Sequence, residues 1–197
     1  MTGTTSRLII LTIVAYAIGS IPFGVWISRA MSGIDPRQAG SRNMGATNVL
    51  RVVGKGPAML TLAGDILKGI FPVWLAQLFR MEQQSIFLVG FSAILGHLFP
   101  VFIMFKGGKG VAVSFGVFLG VAPKIAFISF IIWLCGVTMG RYSSIGALAA
   151  FGALPFLALL FKPTPAFVLF SLMVSVLVYF RHKENIFRLV RGEEKPS

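Results

Sequence analysis

Three short polar segments interrupt an otherwise apolar chain, and their residue types are those that bind phosphate. The first is DPRQAGSRNMGATNVLRVVGK at 35–55, the second is FKGGKGVA at 105–112 and the third is HKENIFRLVRGEE at 182–194. Arginine grips oxyanions through two parallel hydrogen bonds, lysine adds a point charge, and glycine lets backbone N–H groups approach an anion closely. The combination indicates a phosphate site assembled from separate parts of the chain.

The first segment holds the densest group of candidate phosphate ligands. Short hydroxyl and amide side chains alternate there with glycines and arginines. Asp35 could accept a hydrogen bond from a hydroxyl or orient an arginine, whereas Arg29 and Lys55 need be no more than basic anchors at a membrane edge. The candidate ligands are Arg37, Ser41, Asn43, Thr47, Asn48 and Arg51.

The second segment predicts a glycine loop that leads into a helix. Val111 is the expected start of that helix, and its N-terminal dipole would favour an anion at the loop. This is not a Walker A loop, because neither Lys55 nor Lys109 is followed by Ser or Thr and no strand is expected before either. The competing interpretation is a basic membrane-edge anchor whose glycines only end a helix. The candidate ligands are Lys106, Gly107, Gly108, Lys109 and Gly110.

Few side chains could take part in proton transfer or covalent chemistry. His97 and His182 are the two histidines, and each could act as a general base or could bind and orient a substrate. With Cys135 as the single cysteine, an intrachain disulfide and a cysteine metal cluster are excluded, and neither a His/Cys zinc site nor any other metal or cofactor is expected. No G-x-S-x-G elbow supplies a nucleophile. Asp65 and Lys68, three residues apart in an apolar run, either pair with each other or line the site.

The composition predicts that helices in a membrane position these segments. The 197 residues are 56% hydrophobic and 12% charged, with a mean hydropathy of +0.85, whereas soluble domains average about 25% charged residues. The apolar residues form long blocks without alternation, which favours helices in lipid over strands. We therefore predict an all-α integral membrane protein, with one multi-span domain over 1–197 and a short cytoplasmic tail from about 182.

The apolar blocks divide into seven candidate spans. They lie at 7–28, 57–79, 85–104, 110–122, 124–140, 144–161 and 165–181. The first could pass for a signal peptide, but no clear small-x-small cleavage site follows its apolar run, so we interpret it as an uncleaved span. The fourth, with about thirteen residues, is a short or tilted span, a re-entrant segment, or part of one kinked element over 110–140.

The distribution of basic residues predicts the orientation in the membrane. If all seven segments cross, thirteen of the eighteen Lys and Arg residues fall in loops on one side and four on the other, with Lys68 inside a span. The positive-inside rule then places the three polar segments and the C-terminus in the cytoplasm and the N-terminus outside. The net charge of +12 fits bilayer lipid or an anionic substrate. Nucleic acid is not expected, because the charges lie in short loops without a known binding module.

Three motifs in order resemble those of a known family. They are GSIPFG followed by D-x-R-x-x-G-S-x-N-x-G-A-T-N-x-x-R, then G-H-x-x-P with FKGGKGVA, then H-x-x-N-I-x-R-L-x-x-G-x-E. Together they span nearly the whole chain and resemble the PlsY family, the bacterial glycerol-3-phosphate acyltransferases that use acyl phosphate as donor. One departure is visible: the family usually has Gly-Ser-Gly-Asn where this chain has Gly40-Ser41-Arg42-Asn43.

The resemblance implies an enzyme of the bacterial inner membrane with seven transmembrane helices and cytoplasmic active-site loops, and without a metal. It implies that acyl phosphate and glycerol 3-phosphate give 1-acyl-glycerol 3-phosphate (lysophosphatidate) in phospholipid synthesis. A soluble PlsX-type phosphate acyltransferase would supply the donor. The resemblance assigns glycerol 3-phosphate binding to Lys106–Gly110, an activity role to His182 and Asn185, and a structural role to Glu194. Arg188 of the same motif is expected to support them.

The residue types fit that chemistry independently. Acyl phosphate is already activated, so the main task is to bring two anionic substrates together, which favours cations and amide dipoles over carboxylates. The nucleophile would be the sn-1 hydroxyl, without an acyl-enzyme, and its proton would pass to the departing phosphate, to His97 or to His182. A membrane transporter of organic phosphates is the main alternative, although the two-half symmetry common in transporters is not visible. A lipid-binding scaffold would not need the dense polar side chains at 41–48.

Overall fold

The computed structural model describes residues 2–194 and 196, and each regular element in that part of the chain is a helix. The residues group into two compact units, with the boundary in sequence between Gly120 and Val121. A single domain over 1–197 stays a prediction. The first unit contains α1 Thr2–Gly19, α2 Phe23–Ser32, α3 Ala46–Val52, α4 Lys55–Leu78, α5 Gln83–Leu98, a 3-10 turn Val101–Ile103 and nearly all of α6 Val111–Val121.

The first predicted span is broken in the middle. α1 ends at Gly19 and α2 begins at Phe23, because Pro22 has no N–H to continue the helical ladder and its ring clashes with the preceding turn. Both helices lie within one apolar stretch of 30 residues, Gly3–Ser32. At the break, the carbonyl oxygen of Ile21 accepts a 2.8 Å hydrogen bond from Nζ of Lys68 in α4. The break therefore ties α1 and α2 to α4.

Glycines let α1 and α5 approach closely. A β-carbon on Gly19 would overlap the backbone of Ala93, and one on Gly96 would overlap the carbonyl oxygen of Tyr16. Small residues at such contacts let helix backbones pack closely in lipid, where burial of apolar surface contributes little to helix association. This packing fixes the C-terminal end of α5, which carries His97.

The second unit contains α7 Pro123–Gly140, α8 Ser143–Phe161, α9 Pro165–Arg181 and the short α10 Lys183–Val190. α8 packs on both of its neighbours in sequence. Gly146 of α8 lies against the carbonyl of Trp133 in α7, and Ser175 of α9 donates to the carbonyl of Phe151 in α8 at 2.7 Å. These contacts join the three long helices of this unit without using any charged side chain.

The helices match the predicted apolar segments closely, and a count of seven spans is approximate. Five stretches are long and apolar enough to cross a membrane: Gly3–Ser32, Lys55–Leu78, Gln83–Ile103, Pro123–Gly140 and Ser143–Phe161. α9 has 17 residues and passes the same test only together with α10, from which it is bent by 58°. α6 has 11 residues; a straight helix of that length spans roughly 16 Å, about half of a ~30 Å hydrocarbon core. One helix that the sequence did not predict, α3, lies inside the first polar segment.

Candidate active site

Asp35 holds two arginines at the start of the first polar segment. Its Oδ2 accepts hydrogen bonds from Nη2 of Arg29 and Nη2 of Arg37, each at 2.8 Å. Its Oδ1 accepts from the Nε and the backbone N–H of Arg37 at 3.1 and 3.0 Å. The side-chain hydrogen bond from Arg37 outweighs burial and lowers the pKa of Asp35 to about 2, so the carboxyl is ionised at neutral pH. Asp35 therefore fixes the direction of Arg37, whose side chain is 26% exposed.

Asn48 organises the loop between α2 and α3. Its Oδ1 accepts from the backbone N–H of Ser41 at 2.8 Å. Its Nδ2 lies 2.8 Å from the carbonyl oxygens of Pro36 and Asn43 and 3.1 Å from that of Ala39. Nδ2 carries two hydrogens, and the three carbonyl oxygens around it take up both of them within the loop. The side chain is also buried. Asn48 folds the segment around itself.

Two residues of this loop have left-handed backbone conformations. Gly40 has φ 61°, and a β-carbon there would overlap Oδ1 of Asn48, so both the angle and the space require glycine. Arg42 has φ 57° with a full side chain, which costs roughly 1 kcal/mol relative to glycine. The loop thus keeps a backbone shape that suits glycine at position 42 and carries an exposed arginine there.

Met44 connects the first polar segment to the region before the second. Its side chain is 2% exposed and forms a buried apolar cluster with Val25 of α2 and Ile103 of the 3-10 turn. The carbonyl oxygen of Met44 also lies so close to Gly24 that a β-carbon there would overlap it. The first two polar segments are therefore tied to one apolar cluster within the same unit.

The second polar segment is fixed to the C-terminal end of α5 through His97. The backbone N–H of Gly108 donates to the carbonyl oxygen of His97 at 3.2 Å. A β-carbon on Gly107 would overlap the carbonyl oxygens of His97 and Leu98, and one on Gly108 would overlap Nε2 of His97. Both positions therefore require glycine, because there is no room for a β-carbon. The imidazole lies directly against the loop backbone.

The approach to this loop contains an unusual backbone. Met104 and Phe105 are consecutive non-glycine residues with φ 54° and 60°. Such conformations are costly and persist where the surrounding structure holds them. They turn the chain back on itself after the 3-10 turn, and Gly110, at φ 86°, then leads into α6 at Val111, as predicted. The loop therefore enters the positive end of a helix dipole with its backbone constrained on both sides.

A buried polar cluster lies behind His97. Oδ1 of Asp65 is 2.8 Å from Nζ of Lys68 and 3.6 Å from Nδ1 of His97, and the three side chains are between 1% and 4% exposed. Lys68 also donates to the Ile21 carbonyl at 2.8 Å. Charged groups are tolerated at such depth when they pair and satisfy backbone groups. Of the two predicted alternatives for Asp65 and Lys68, the structure shows a mutual pair that also faces His97.

The second unit has its own cluster, centred on Glu194. Oε1 of Glu194 accepts from Nδ2 of Asn185 at 2.6 Å and from Oγ of Ser144 at 3.0 Å, and Oε2 accepts from Nε of Arg188 at 2.7 Å. Burial raises the pKa of Glu194, but the hydrogen bonds from Arg188, Asn185 and Ser144 outweigh it and leave the pKa below its usual value. One ionised carboxylate therefore links α8, α10 and the segment that follows α10.

His182 lies at the junction of α9 and α10. Its side chain is 2% exposed, and its Nδ1 is 2.8 Å from the carbonyl oxygen of Val178. Because a carbonyl can only accept, Nδ1 carries a proton and, in the neutral ring, Nε2 has the lone pair. The ring is thereby oriented by the last turn of α9.

Comparison with known proteins places this arrangement in a family. A family model described as glycerol-3-phosphate acyltransferase matches residues 9–192. The chain belongs to this family. The glycerol-3-phosphate acyltransferase of Methylococcus capsulatus is 44% identical over 180 residues, covering 91% of each chain. That of Halorhodospira halophila is 44% identical over 186 residues, covering 94% of each.

Solved structures support the same assignment. The crystal structure of PlsY, an integral membrane glycerol 3-phosphate acyltransferase, in its glycerol 3-phosphate form has a TM-score of 0.92 and 36% identity, covering 97% of this chain and 96% of that one. The lysophosphatidic acid form has a TM-score of 0.90 at 36% identity, covering 96% and 95%. The resemblance to the PlsY family is confirmed, and the chain is an all-α integral membrane protein.

Within this glycerol-3-phosphate acyltransferase, the predicted site residues fall into two classes. Asp35, Asp65, Lys68, Asn48, Glu194 and both histidines are buried or paired inside the protein. Others lie at or near the surface of their unit: Ser41, Arg51 and Lys106 are exposed, and Asn43, Thr47 and Lys109 are half-buried. The second class is the more solvent-accessible one.

Some residues that shape the site were not singled out in the sequence. Ser144 donates to Glu194, but it sits at the start of an apolar segment where no spacing marks it. Arg29 was interpreted as a membrane-edge anchor, whereas its guanidinium is paired with Asp35. Met44 and Ile21 contribute a side chain and a carbonyl to tertiary contacts that no residue-type argument predicts.

Proposed function

We propose that this protein transfers an acyl group from acyl phosphate to the sn-1 hydroxyl of glycerol 3-phosphate. The hydroxyl oxygen attacks the carbonyl carbon of the mixed anhydride, and the bond between that carbon and the phosphate oxygen breaks. The products are 1-acyl-glycerol 3-phosphate and inorganic phosphate. Phosphate is a good leaving group, so no acyl-enzyme and no cofactor are needed. The membership of the glycerol-3-phosphate acyltransferase family supports this reaction.

The observation that carries the proposal is the constrained glycine loop at 106–110. Gly107 and Gly108 pack against α5 so closely that no side chain fits, which holds their backbone in one shape in front of α6. Lys106 is exposed beside them and Lys109 is half-buried. A constrained loop backbone, a helix N-terminus and two lysines form a suitable binding site for the phosphate of glycerol 3-phosphate.

The first polar segment would supply cations and hydrogen-bond donors for the anionic substrates. Arg37 is oriented by Asp35 and retains Nη1 for a further acceptor. Ser41, Asn43, Thr47 and Arg51 lie around the loop that Asn48 folds. In this arrangement Asn48 acts by shaping the loop rather than by touching phosphate. Fixed cations screen the repulsion between two phosphates that must approach each other.

The proton of the sn-1 hydroxyl would leave with the departing phosphate, which is itself a base. His97 is buried against the loop backbone with its other ring nitrogen towards Asp65, an arrangement that suits a positioning role. His182 and Asn185 would act at the third motif, with Arg188 and Glu194 holding Asn185 in place.

The orientation in the membrane follows from the charge distribution, and the membrane and the donor follow from the family resemblance. The active-site loops and the C-terminus would face the cytoplasm of a bacterial inner membrane, with the N-terminus outside, because thirteen basic residues share that side. A soluble PlsX-type phosphate acyltransferase would supply acyl phosphate from the same compartment.

The test uses purified protein reconstituted in lipid with palmitoyl phosphate. Phosphate release that requires glycerol 3-phosphate, with lysophosphatidate formed and palmitoyl-CoA inert, is the expected result. No release from either donor by folded protein that still binds glycerol 3-phosphate would overturn the proposal and favour an organic-phosphate transporter. Phosphate release without formation of lysophosphatidate would show that the protein is a hydrolase of acyl phosphate.

Two sets of variants assign the roles. Lys106→Ala and Lys109→Ala should raise KM for glycerol 3-phosphate while the melting temperature stays unchanged, because neither lysine is buried. Lys55→Ala, at the first residue of α4, is the matched control and should leave KM unchanged. The double variant His97→Asn/His182→Asn tests the histidines as proton acceptors. A near-normal kcat would exclude both histidines as the base. A residual kcat that no longer varies with pH would implicate them.

A further inference from the structure

The short helix α10 exposes two large apolar side chains on one side. Phe187 is 64% exposed and Val190 is 83% exposed, and the exposed Lys183 lies on the same side, whereas Ile186 and Leu189 are half-buried. Glu184, Asn185 and Arg188 lie towards the opposite half. The helix is therefore amphipathic, with part of its apolar half exposed.

Asn185 and Arg188 on the polar half of α10 point towards the protein, whereas the side chain of Glu184 is 79% exposed. Asn185 is 4% exposed and donates to Glu194, which Arg188 also contacts at 2.7 Å. Phe187 and Val190 thus face away from the protein interior, whereas Ile186 and Leu189 are half-buried. Two neighbouring apolar side chains exposed to this extent indicate an apolar environment outside the protein.

Its position in the chain indicates which environment that is. α9 is an apolar helix of 17 residues, and α10 follows it after a bend of 58° at His182. With Lys183, Glu184 and Arg188 among its eight residues, α10 is too polar to continue the span. A helix that leaves a span at such an angle runs obliquely along the membrane surface, where one side meets acyl chains and the other meets headgroups.

Two cations border the apolar side. Lys183, on the same side as Phe187 and Val190, is exposed, with its Nζ 5.4 Å above the ring of Phe180. Arg191, just beyond the last turn, is also exposed. Within the described residues, neither cation has an acidic partner at ion-pair distance. Long basic side chains next to apolar ones extend towards lipid phosphates at a bilayer interface.

We propose that α10 is an interfacial helix that binds the anionic surface of the bilayer, with Phe187 and Val190 at the acyl boundary and Lys183 and Arg191 on lipid phosphates. Because Asn185 and Arg188 lie on the other side of the same helix, lipid binding holds the Glu194 cluster at the membrane surface. The lipid contact is independent of the reaction proposed above, and it is measured without an activity assay.

The test places a nitroxide label on each side of α10 in the full chain. Cys135→Ser provides the background, and Val190→Cys and Glu184→Cys are labelled in separate proteins, since Glu184 is exposed on the polar half. Each is reconstituted in vesicles of phosphatidylcholine alone or with phosphatidylglycerol. Collision accessibility to oxygen and to a nickel chelate gives the depth of each label.

The label at position 190 should favour oxygen and lie about 5–10 Å below the phosphates, while the label at 184 should favour the nickel chelate. Phosphatidylglycerol should increase the depth at 190, and Lys183→Gln/Arg191→Gln should abolish that increase. Equal exposure of both labels to nickel would overturn the proposal. A label at 190 near the bilayer centre would show a re-entrant helix instead, and depth unaffected by phosphatidylglycerol would remove the role of the two cations.

Discussion

The imidazole of His97 lies directly against the α-carbon of Gly108, whose backbone N–H donates to the carbonyl oxygen of the same histidine at 3.2 Å. This contact makes the histidine a support for the glycine loop. Behind it, Asp65 and Lys68 hold the other side of the ring in a buried cluster. The shape of the loop therefore depends on groups that a phosphate in front of it would not touch.

Replacing Gly108 with alanine should damage substrate binding through His97. The new β-carbon overlaps Nε2, so the loop or the ring must move. A displacement of about 1 Å in a binding loop can cost tenfold or more in kcat/KM. The measurement is kcat/KM for glycerol 3-phosphate in Gly108→Ala and in His97→Ala/Gly108→Ala.

The double variant should recover part of the loss, since it removes the atoms that collide. Losses that multiply independently would contradict a positioning role for His97. Gly56→Ala is the matched control. Gly56 lies in the first turn of α4 in the same unit, and nothing lies within 4 Å of a β-carbon built there, so the activity of this variant should be unchanged.

Asn48→Asp should destabilise the first polar segment although it changes no volume. The carboxylate loses the Nδ2 donors and faces the carbonyl oxygens of Pro36, Ala39 and Asn43. Leaving buried acceptors without donors costs about 2 kcal/mol, which should lower Tm by several degrees in a thermal melt.

Asn43→Asp serves as the control for that change. The side chain of Asn43 accepts through Oδ1 from the backbone N–H of Gly45, and aspartate can still accept there. Its Tm should therefore stay close to that of the parent protein. Equal Tm values for both variants would show that Asn48 does not hold the loop together.

Arg42→Gly should stabilise the protein. Arg42 has φ 57°, and glycine adopts that conformation without the steric cost of a β-carbon, so we expect a gain of about 1 kcal/mol. The neighbouring variant Ser41→Gly brings no such relief and should leave Tm unchanged or lower. If Arg42→Gly melts below the parent protein, the guanidinium contributes more than its backbone conformation costs.

The ion pairs of Asp35 predict a pH dependence of stability. The folded pKa of about 2 lies below the ordinary value of 3.8, so the stabilisation is fully present above the ordinary pKa and is lost as the pH falls towards 2. The difference in Tm between the parent and Asp35→Asn should therefore be largest near neutral pH and shrink as the pH falls from 3.8 to about 2.

A matched carboxyl outside the cluster checks that result. Glu193→Gln removes an exposed carboxyl beside the paired Glu194, and its Tm difference from the parent should stay constant over the same pH range. A constant difference for Asp35→Asn as well would mean that its pairing with Arg29 and Arg37 does not stabilise the fold.

The sequence predicted the helical segments and the three polar segments well, because both follow from residue type and local order. The start of α6 at Val111 and the ends of α7, α8 and α9 follow apolar runs bounded by Pro, Gly and basic residues. The sequence could not predict which polar side chains shape the loops and which are accessible to a ligand. The amide of Asn48 has the same donors whether it faces a phosphate or three carbonyls, and only tertiary structure distinguishes the two.

The same limit applied to the break after Gly19 and to the helix α3. Pro22 predicts a break in the helix but not its partner, since the Ile21 carbonyl accepts a hydrogen bond from Lys68, 47 residues away. α3 forms in a segment rich in Asn, Thr and Arg, where it packs on α4 and encloses the buried Val49. Local propensity for such a segment is weak, so the packing decides.

The hydrogen bond from Lys68 to Ile21 also has a consequence for biosynthesis. A ribosome adds Lys68 well after the first apolar stretch has begun to enter the membrane, so the Ile21 carbonyl at first accepts from the N–H of Phe23, 3.1 Å away, without Lys68. The tie between this break and α4 is then completed only when α4 arrives. A nascent chain stopped before residue 68 should hold Gly3–Ser32 as a membrane anchor without this tie, which would be acquired during assembly rather than insertion.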